Sequence, residues 1–201
     1  MINLPPPRMD GNFAVEAAIN LRRSIRAYSE EPVTMQDLSQ LLWAGQGIIA
    51  PNGRRTAPSA GALYPLEIYL AAGLVPGIEP GVYHYIPQQH GLDPVRFADQ
   101  RAALAATALG QDYIATAPVC LIIGAVYKRT SIKYGTRARR YVHMEAGHAA
   151  QNILLQATAL QLSGVVVGAF DDQAIQQVLK MSLDHEPLSL IPIGRPWHLP
   201  H

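Results

Sequence analysis

The sequence has almost no cysteine. Its 201 residues include one, Cys120, which lies inside the apolar run from 119 to 123. A single cysteine excludes an intrachain disulfide and a cysteine metal cluster, and it suits a reducing compartment. A cysteine in such a run usually behaves as a small hydrophobic residue, so we do not expect it to act as a nucleophile.

Charge is also scarce. Charged residues make up 15% of the chain and hydrophobic residues 49%, with a net charge of +1 when histidine is neutral. This balance gives no reason to expect nucleic acid or an anionic membrane as a partner. So low a charged share indicates more buried surface than a free monomer of this size needs, and we expect a homodimer.

Long apolar runs are missing, because none approaches the roughly 20 residues that a membrane-spanning helix needs. The first residues lack the basic segment and apolar stretch of a secretory signal. We therefore expect a soluble, cytoplasmic protein with one domain over residues 1–201. Residues 1–9 are rich in proline, and we expect them to form an extended N-terminal arm that lies across a partner subunit.

Several common catalytic motifs are absent. No Gly-x-Gly-x-x-Gly follows a predicted strand, no Walker-type loop ends in Gly-Lys-Ser/Thr, and no Gly-x-Ser-x-Gly elbow occurs. Glu145 and His148 have the spacing of one half of a di-iron carboxylate motif, but the second half is missing. We expect no metal, and we expect these polar groups to pair with a neighbouring helix or subunit.

The hydrophobic pattern predicts helices that alternate irregularly with strands. Helical spacing is found over 12–21, 34–45, 99–109, 141–160 and 172–181, with Gly164 as the cap of the longest helix. Strands are predicted over 66–74, 81–86, 118–127, 165–170 and 188–193. Residues 48–65 are predicted to be loop, and 128–140 form a basic, polar stretch. The irregular connections favour an α+β layered fold over repeated βαβ units.

Arg22, Arg23, Ser24 and Arg26 form a candidate anion site. Guanidinium forks and a hydroxyl donor suit a phosphate monoester. The alternative is a solvated surface, with Arg22 and Arg23 in the last turn of a helix, where cations suit the helix dipole. Two further glycine-bearing polar stretches, 55–65 and 191–196, favour the ligand interpretation.

Together these stretches resemble the FMN-dependent nitroreductase superfamily, and within it most of all the SagB/ThcOx-type dehydrogenases. The resemblance runs from about residue 17 to residue 196. It is carried, in order, by Arg22–Tyr28, Ala57–Pro65, Lys133–Gly135, Arg140–Tyr141, Glu145–Asn152, Gly168–Phe170 and Ile193–Pro196.

The resemblance implies a mainly antiparallel central sheet flanked by helices, in an intertwined homodimer with FMN at the subunit interface. It implies that Lys133 and Tyr134 serve as an acid/base pair beside the flavin. The implied cofactor-binding residues are Arg22, Arg23, Ser24, Arg26, Gly194 and Arg195 around the phosphate and ribityl chain, Pro58, Ser59, Ala60, Gly61 and Ala62 from the other subunit, and Gly168 and Ala169 near the ring edge.

The activity implied is that of an FMN-dependent oxidoreductase, in which hydride passes through flavin to or from a small organic substrate, with NAD(P)H as a possible donor. The chain departs from many nitroreductases in the run 60–63, where Ala, Gly, Ala and Leu replace a Ser/Asn-rich loop. At 201 residues the sequence is short, and we expect it not to have the additional N-terminal domain of many azoline oxidases. The alternatives are a non-catalytic flavin-binding or sensor protein, and a flavin-fragmenting or reductive dehalogenating enzyme of the same fold.

Overall fold

The computed structural model describes residues 1–197 as a seven-stranded antiparallel sheet flanked by helices. The strand order is β1-β4-β3-β2-β5-β7-β6, and every strand pairing is antiparallel. The strands are β1 (Ile2–Asn3), β2 (Leu66–Ala72), β3 (Gly81–Ile86), β4 (Gly91–Arg96), β5 (Val119–Ala125), β6 (Ser163–Gly164) and β7 (Glu186–Gly194). The α+β, mainly antiparallel fold expected from the sequence is confirmed.

Helices cover both faces of this sheet. They are α1 (Val15–Leu21), α2 (Met35–Gln46), α3 (Arg101–Thr107), α4 (Tyr113–Thr116), α5 (Tyr127–Tyr134), α6 (Ala138–Ala159) and α7 (Asp172–Leu179), with 3₁₀ turns at Ala60–Ala62 and Gly135–Arg137. The Thr34 hydroxyl caps α2 by accepting the N–H of Asp37 at 3.0 Å, as the sequence predicts. Within residues 1–197, no helix has the length and apolarity to cross a membrane.

The centre of the sheet is buried on both faces. Every residue of β2 and β5 is buried, which agrees with their continuous apolar sequences. One face packs against α2 and α6, and the other packs against α3 and α7. Cys120 lies in the second of these cores, and burial raises the pKa of its thiol to about 12.

The strand predicted over 165–170 is wrong. Pairing with β7 involves Ser163 and Gly164, and beyond them only Val167 forms a bridge, with Leu190. Gly164 is therefore a strand residue and not the cap of α6, which ends at Ala159. A Cβ at Gly164 would lie 2.7 Å from the carbonyl oxygen of Pro192, so close packing against β7 explains the glycine.

Other boundaries also differ from the sequence predictions. The basic stretch over 128–140 is largely helical, because it contains α5 and the start of α6. Strand β4 was not predicted, since it includes Pro94, which lies at an exposed position. Helix α1 ends at Leu21 with Arg22 as its C-cap, so Arg22 and Arg23 lie beyond the last turn and not within it.

The N-terminal arm, expected to reach across a partner subunit, is anchored on its own chain. Ile2 and Asn3 pair with β4. The Ser39 hydroxyl donates to the carbonyl of Pro5 at 2.6 Å. The Gln40 amide exchanges two hydrogen bonds with the backbone of Arg8, at 2.8 and 3.0 Å. These bonds lay the arm along α2.

Candidate functional site

The segment after α1 pairs with the end of the last strand. The N–H of Ser29 donates to the carbonyl of Arg195 at 2.9 Å, and the N–H of Trp197 donates to that of Ala27 at 3.2 Å. The hydroxyl of Tyr28 also lies 3.1 Å from the carbonyl of Pro192. These contacts bring the predicted phosphate segment around residues 22–26 and the predicted Arg195 to one edge of the molecule.

Two of the four predicted arginines have partners within the chain. The guanidinium of Arg23 donates to the carbonyls of Asn20 at 2.6 Å and Arg22 at 2.9 Å, which caps the end of α1. Arg195 forms an ion pair with Glu31 at 2.9 Å. The Arg23 side chain is therefore used to cap the end of α1. To bind a phosphate, Arg195 would have to exchange the Glu31 carboxylate for that anion.

Arg22 and Arg26 are different, because neither side chain makes a hydrogen bond or ion pair within residues 1–197. The guanidinium of Arg26 lies 5.8 Å from the centre of the Tyr113 ring. Ser24 is exposed, and its backbone forms a bridge with Gly164. These three side chains are available to an external anion.

Two glycines of the predicted cofactor site, Gly194 and Gly168, differ in the space around them. A Cβ at Gly194 would lie 2.6 Å from Cδ of Pro118, so packing within the chain requires a glycine there. At Gly168, apart from its two chain neighbours, no atom of residues 1–197 lies within 4 Å of the Cβ position. Ala169, its neighbour, is exposed, and its carbonyl accepts a hydrogen bond from Gln111 at 3.2 Å. The backbone at 168–169 is open to a ligand or a partner.

The predicted acid/base pair lies against the predicted flavin loop. A Cβ built on Gly61 would be 2.9 Å from Oη of Tyr134 and 3.1 Å from Nζ of Lys133. The Tyr134 ring also packs edge-to-face on Tyr141, with ring centres 5.0 Å apart. The structure thus brings Lys133 and Tyr134, which end α5, to the backbone of the loop over 58–62.

A cleft of about 250 Å³ separates this loop from α6. Glu145 lines it and is buried, and its Oε1 has no hydrogen-bond partner within the described chain. Burial raises the pKa of Glu145 to about 7, against the opposing effects of the Ser59 hydroxyl and the Arg55 charge. The lining residues are Pro58, Ser59, Ala60, Tyr141, Met144, Glu145 and His148.

Within the described chain, Glu145 and His148 join no group of three metal-ligating side chains suited to hold an ion. The sequence predicts that these groups pair with a neighbouring helix or subunit, and within the described chain no helix supplies a partner for Oε1 of Glu145. Instead, its carboxyl group faces the cleft with one oxygen free. A buried polar atom without a partner is rare in native proteins and indicates that something else supplies one.

Glu67 is a site residue that sequence reasoning missed. It lies in buried β2, where its two oxygens accept from Arg129 of α5 and from Nε2 of His84, the latter at 2.7 Å. Burial alone would raise the pKa of Glu67, but the hydrogen bond from His84 and the charge of Arg129 hold it below its ordinary value. The available signal was a lone carboxylate in a strand that is otherwise apolar.

A second cleft, of about 300 Å³, lies on another side of α6. It is lined by His143, Ala146, Gly147, Ala150, Val166, Leu188 and Ser189. Val166 is two residues from Gly168, so this cleft lies near the predicted ring-edge backbone. The predicted flavin-binding residues thus divide between two sides of α6, as expected if each site is completed by a second chain.

The model of the Nitroreductase family matches residues 19–195, which is most of the chain. The chain belongs to the nitroreductase family. The resemblance inferred from its sequence is confirmed.

Relatives of this nitroreductase-family chain include the protein MJ1384 of Methanocaldococcus jannaschii, which is named as a nitroreductase. It is 49% identical over 183 residues, or 90% of each chain. A crystal structure from Ralstonia eutropha, also named as a nitroreductase, superposes with a TM-score of 0.86 at 29% identity. It covers 98% of this chain and 90% of that one.

The SagB-type part of the resemblance also has a counterpart. The microcin B17-processing protein McbC of Escherichia coli is 28% identical over 134 residues, which cover 64% of this chain. The match spans about half of McbC, at 49% of its length. Similarity to both kinds of relative supports an oxidoreductase of the nitroreductase fold.

Proposed function

We propose that this nitroreductase-family protein is an FMN-dependent oxidoreductase acting on a small organic substrate. The observation that carries the proposal is the pairing of the segment after α1 with the end of β7, which collects Arg22, Ser24, Arg26 and Arg195 at one edge. Guanidinium groups bind phosphate by charge-assisted hydrogen bonds, and a terminal phosphate distinguishes FMN from riboflavin.

The residues present fit such a group. Arg22 and Arg26 are available to the phosphate, and the open backbone at Gly168 allows a flat ring to approach closely. The free Oε1 of Glu145 would find a partner in the N–H and C=O groups of an isoalloxazine edge. FMN supplies the redox chemistry when it is bound, and the chain supplies placement and proton handling.

For the proton handling we propose Lys133 and Tyr134. An ammonium group and a phenol placed against the same loop residue can donate and accept a substrate proton. This pair, together with the similarity to McbC, favours a SagB-type dehydrogenase. An NAD(P)H-linked nitroreductase is the second candidate, favoured by the higher identity to MJ1384.

We also propose a homodimer with the flavin at the interface. Helix α1 exposes Val15 by 58% and Ile19 by 59%, and Ile49 is exposed by 54%. Val15 and Ile49 line a cleft of about 440 Å³ that includes Trp43 and Leu155. Light scattering should give twice the chain mass at micromolar concentration, and a monomer that retains flavin would contradict the shared site.

The absorption spectrum of the purified protein tests the cofactor directly. Titration of apoprotein with FMN then tests the phosphate residues. Arg22→Ala and Arg195→Ala should each weaken binding roughly 10- to 100-fold, since a charge-assisted hydrogen bond contributes about 1.5–3 kcal/mol. Arg23→Ala is the matched control, because that guanidinium is occupied by the end of α1. Equal affinity in all variants would show the cluster to be only surface.

Turnover distinguishes the candidates. Reduction of a quinone or nitroaromatic by NAD(P)H would support a nitroreductase, and oxidation of an azoline peptide would support a SagB-type dehydrogenase. Lys133→Ala and Tyr134→Phe should retain FMN but slow the substrate half-reaction roughly 10²- to 10⁴-fold. Flavin binding without any turnover would favour a flavin-binding or sensor protein.

A further inference from the structure

The loop against the acid/base pair has a strained backbone. Gly61, Ala62 and Tyr64 all have positive φ angles, of +64°, +54° and +46°. Side chains disfavour this left-handed region, at a cost of roughly 1–3 kcal/mol for each non-glycine residue. Such a conformation persists only where the surroundings hold it in place.

Tyr64 is held through each of its polar groups. Its N–H donates to Oγ of Ser59 at 2.9 Å, and its hydroxyl accepts the N–H of Arg55 at 3.3 Å. Its carbonyl accepts from Nη1 of Arg129 at 3.0 Å. The last of these bonds comes from a different element, helix α5.

Arg129 connects three parts of the fold, namely its own helix α5, the loop at Tyr64 and strand β2. It lies in α5, four residues before Lys133 and five before Tyr134. While one nitrogen donates to the Tyr64 carbonyl, the other donates to Oε1 of Glu67 in buried β2. Glu67 is in turn fixed by His84 through its second oxygen.

We propose that Arg129, held by Glu67, is a positioning residue that fixes Lys133 and Tyr134 against Gly61. The inference rests on the proposed acid/base function of that pair. A planar fork makes two bonds in fixed directions, so a single guanidinium sets both the position of α5 and the path of the strained loop. A lysine has no such fork, although it keeps the charge.

The alternative is that Arg129 only stabilises the fold. Hydrogen exchange measured by mass spectrometry, on protein without cofactor or substrate, distinguishes the two. Arg129→Gln should speed exchange tenfold or more in peptides covering 60–66 and 127–137, and Arg129→Lys should have an intermediate effect. Arg139→Gln, which removes an exposed ion pair with Glu186 at 3.3 Å, is the matched control. Unchanged exchange at 60–66 in Arg129→Gln would overturn the proposal.

A kinetic comparison tests whether Arg129 acts through the pair. With the FMN-loaded enzyme and a nitroaromatic, Arg129→Gln should slow flavin reoxidation tenfold or more in the parent. In the Lys133→Ala/Tyr134→Phe background the same change should slow it less than twofold, because both residues being positioned are already absent. Equal slowing in both backgrounds would show a general structural effect and overturn the inference.

Hydrogen exchange tests the positioning role of Arg129 separately from the proposed FMN-dependent function. If the protein binds no flavin, the proposed function fails, and exchange at 60–66 still decides whether Arg129 fixes the loop. If Arg129→Gln does not fold, Glu67→Gln and Arg129→Lys replace it. Glu67→Gln should increase exchange at 60–66 as expected for Arg129→Gln, and Arg129→Lys should give the intermediate increase. Faster exchange with normal reoxidation kinetics would likewise contradict positioning of the reactive pair.

Discussion

The loop over 58–64 lies between two buried glutamates that have opposite environments. Glu67 is 9% exposed and receives hydrogen bonds from Arg129 and His84. Glu145 is 3% exposed, and one of its oxygens has no partner within residues 1–197. The pKa of Glu67 is lowered, whereas that of Glu145 is raised to about 7.

The difference shows what decides the state of a buried carboxyl group. Burial disfavours the charged form at both positions, but only Glu67 has enough donors to overcome it. Glu67 is therefore an ionised structural group that joins a strand to a helix. Glu145 holds a proton up to near neutral pH and presents a carboxyl group that can both donate and accept a hydrogen bond.

The largest loss of stability should come from breaking the ion pair between Glu67 and Arg129. Glu67→Gln leaves the Arg129 guanidinium facing a neutral amide, so we expect a loss of about 2–3 kcal/mol in the free energy of unfolding. Fully buried pairs lose about 3–5 kcal/mol, and the partial exposure of Arg129 reduces this. Urea denaturation provides the measurement. Glu186→Gln, in the exposed pair with Arg139, should cost no more than about 0.5 kcal/mol.

Crowding the loop between the glutamates should have a smaller effect. Gly61→Ala puts an alanine at a backbone position with a positive φ angle and places its methyl group 2.9 Å from Oη of Tyr134. We expect it to cost about 1–2 kcal/mol and to displace Lys133 and Tyr134, the proposed acid/base pair. Gly53→Ala is the control. Gly53 also has a positive φ, of +78°, but a Cβ added there would meet no atom of residues 1–197 within 4 Å, apart from the chain neighbours. Similar substrate kinetics in both variants would contradict the contact.

The two glutamates should also give opposite pH dependence. Because the folded-state pKa of Glu67 is lowered, its contribution to stability is lost as pH falls below the ordinary value of 4.5. Because that of Glu145 is raised, its contribution is complete below pH 4.5 and is lost as pH rises through about 7.

Glu145→Gln should therefore gain stability relative to the parent as pH rises from 5 to 8, and the two should differ little at pH 5. Urea unfolding at four pH values gives the difference, in which the titration of other groups cancels. A constant difference between the variant and the parent would mean that Glu145 does not titrate in this window.

The sequence predicted the layers of the fold well where local pattern decides them. The buried runs of β2 and β5 and the capped start of α2 were recognisable from hydrophobic pattern and Thr34. The segment after α6 was misread, because Val165–Phe170 is apolar but pairs only at Val167. Partners distant in the sequence, not local preference, decide such a segment.

For the candidate site, the family motifs predicted which residues belong to it but not which residues they contact. Lys133 and Gly61 are 72 positions apart in the sequence, and their proximity depends on how α5 packs. Arg129 and Glu67 carry no motif, so only the assembled structure shows that one guanidinium serves both strand and loop. The hydrogen bond from the Arg23 side chain to the carbonyl of Asn20 is likewise visible only in the structure.

The burial of Cys120 has a practical consequence for studying this protein. It is the only thiol, it is fully buried, and a pKa of about 12 keeps it protonated. Thiol-directed probes react with the thiolate, so the folded parent should remain unlabelled. Met144→Cys, at an exposed position, would then carry a single spin label per chain. In the proposed homodimer, the distance between two such labels would report how the subunits are arranged around the cleft.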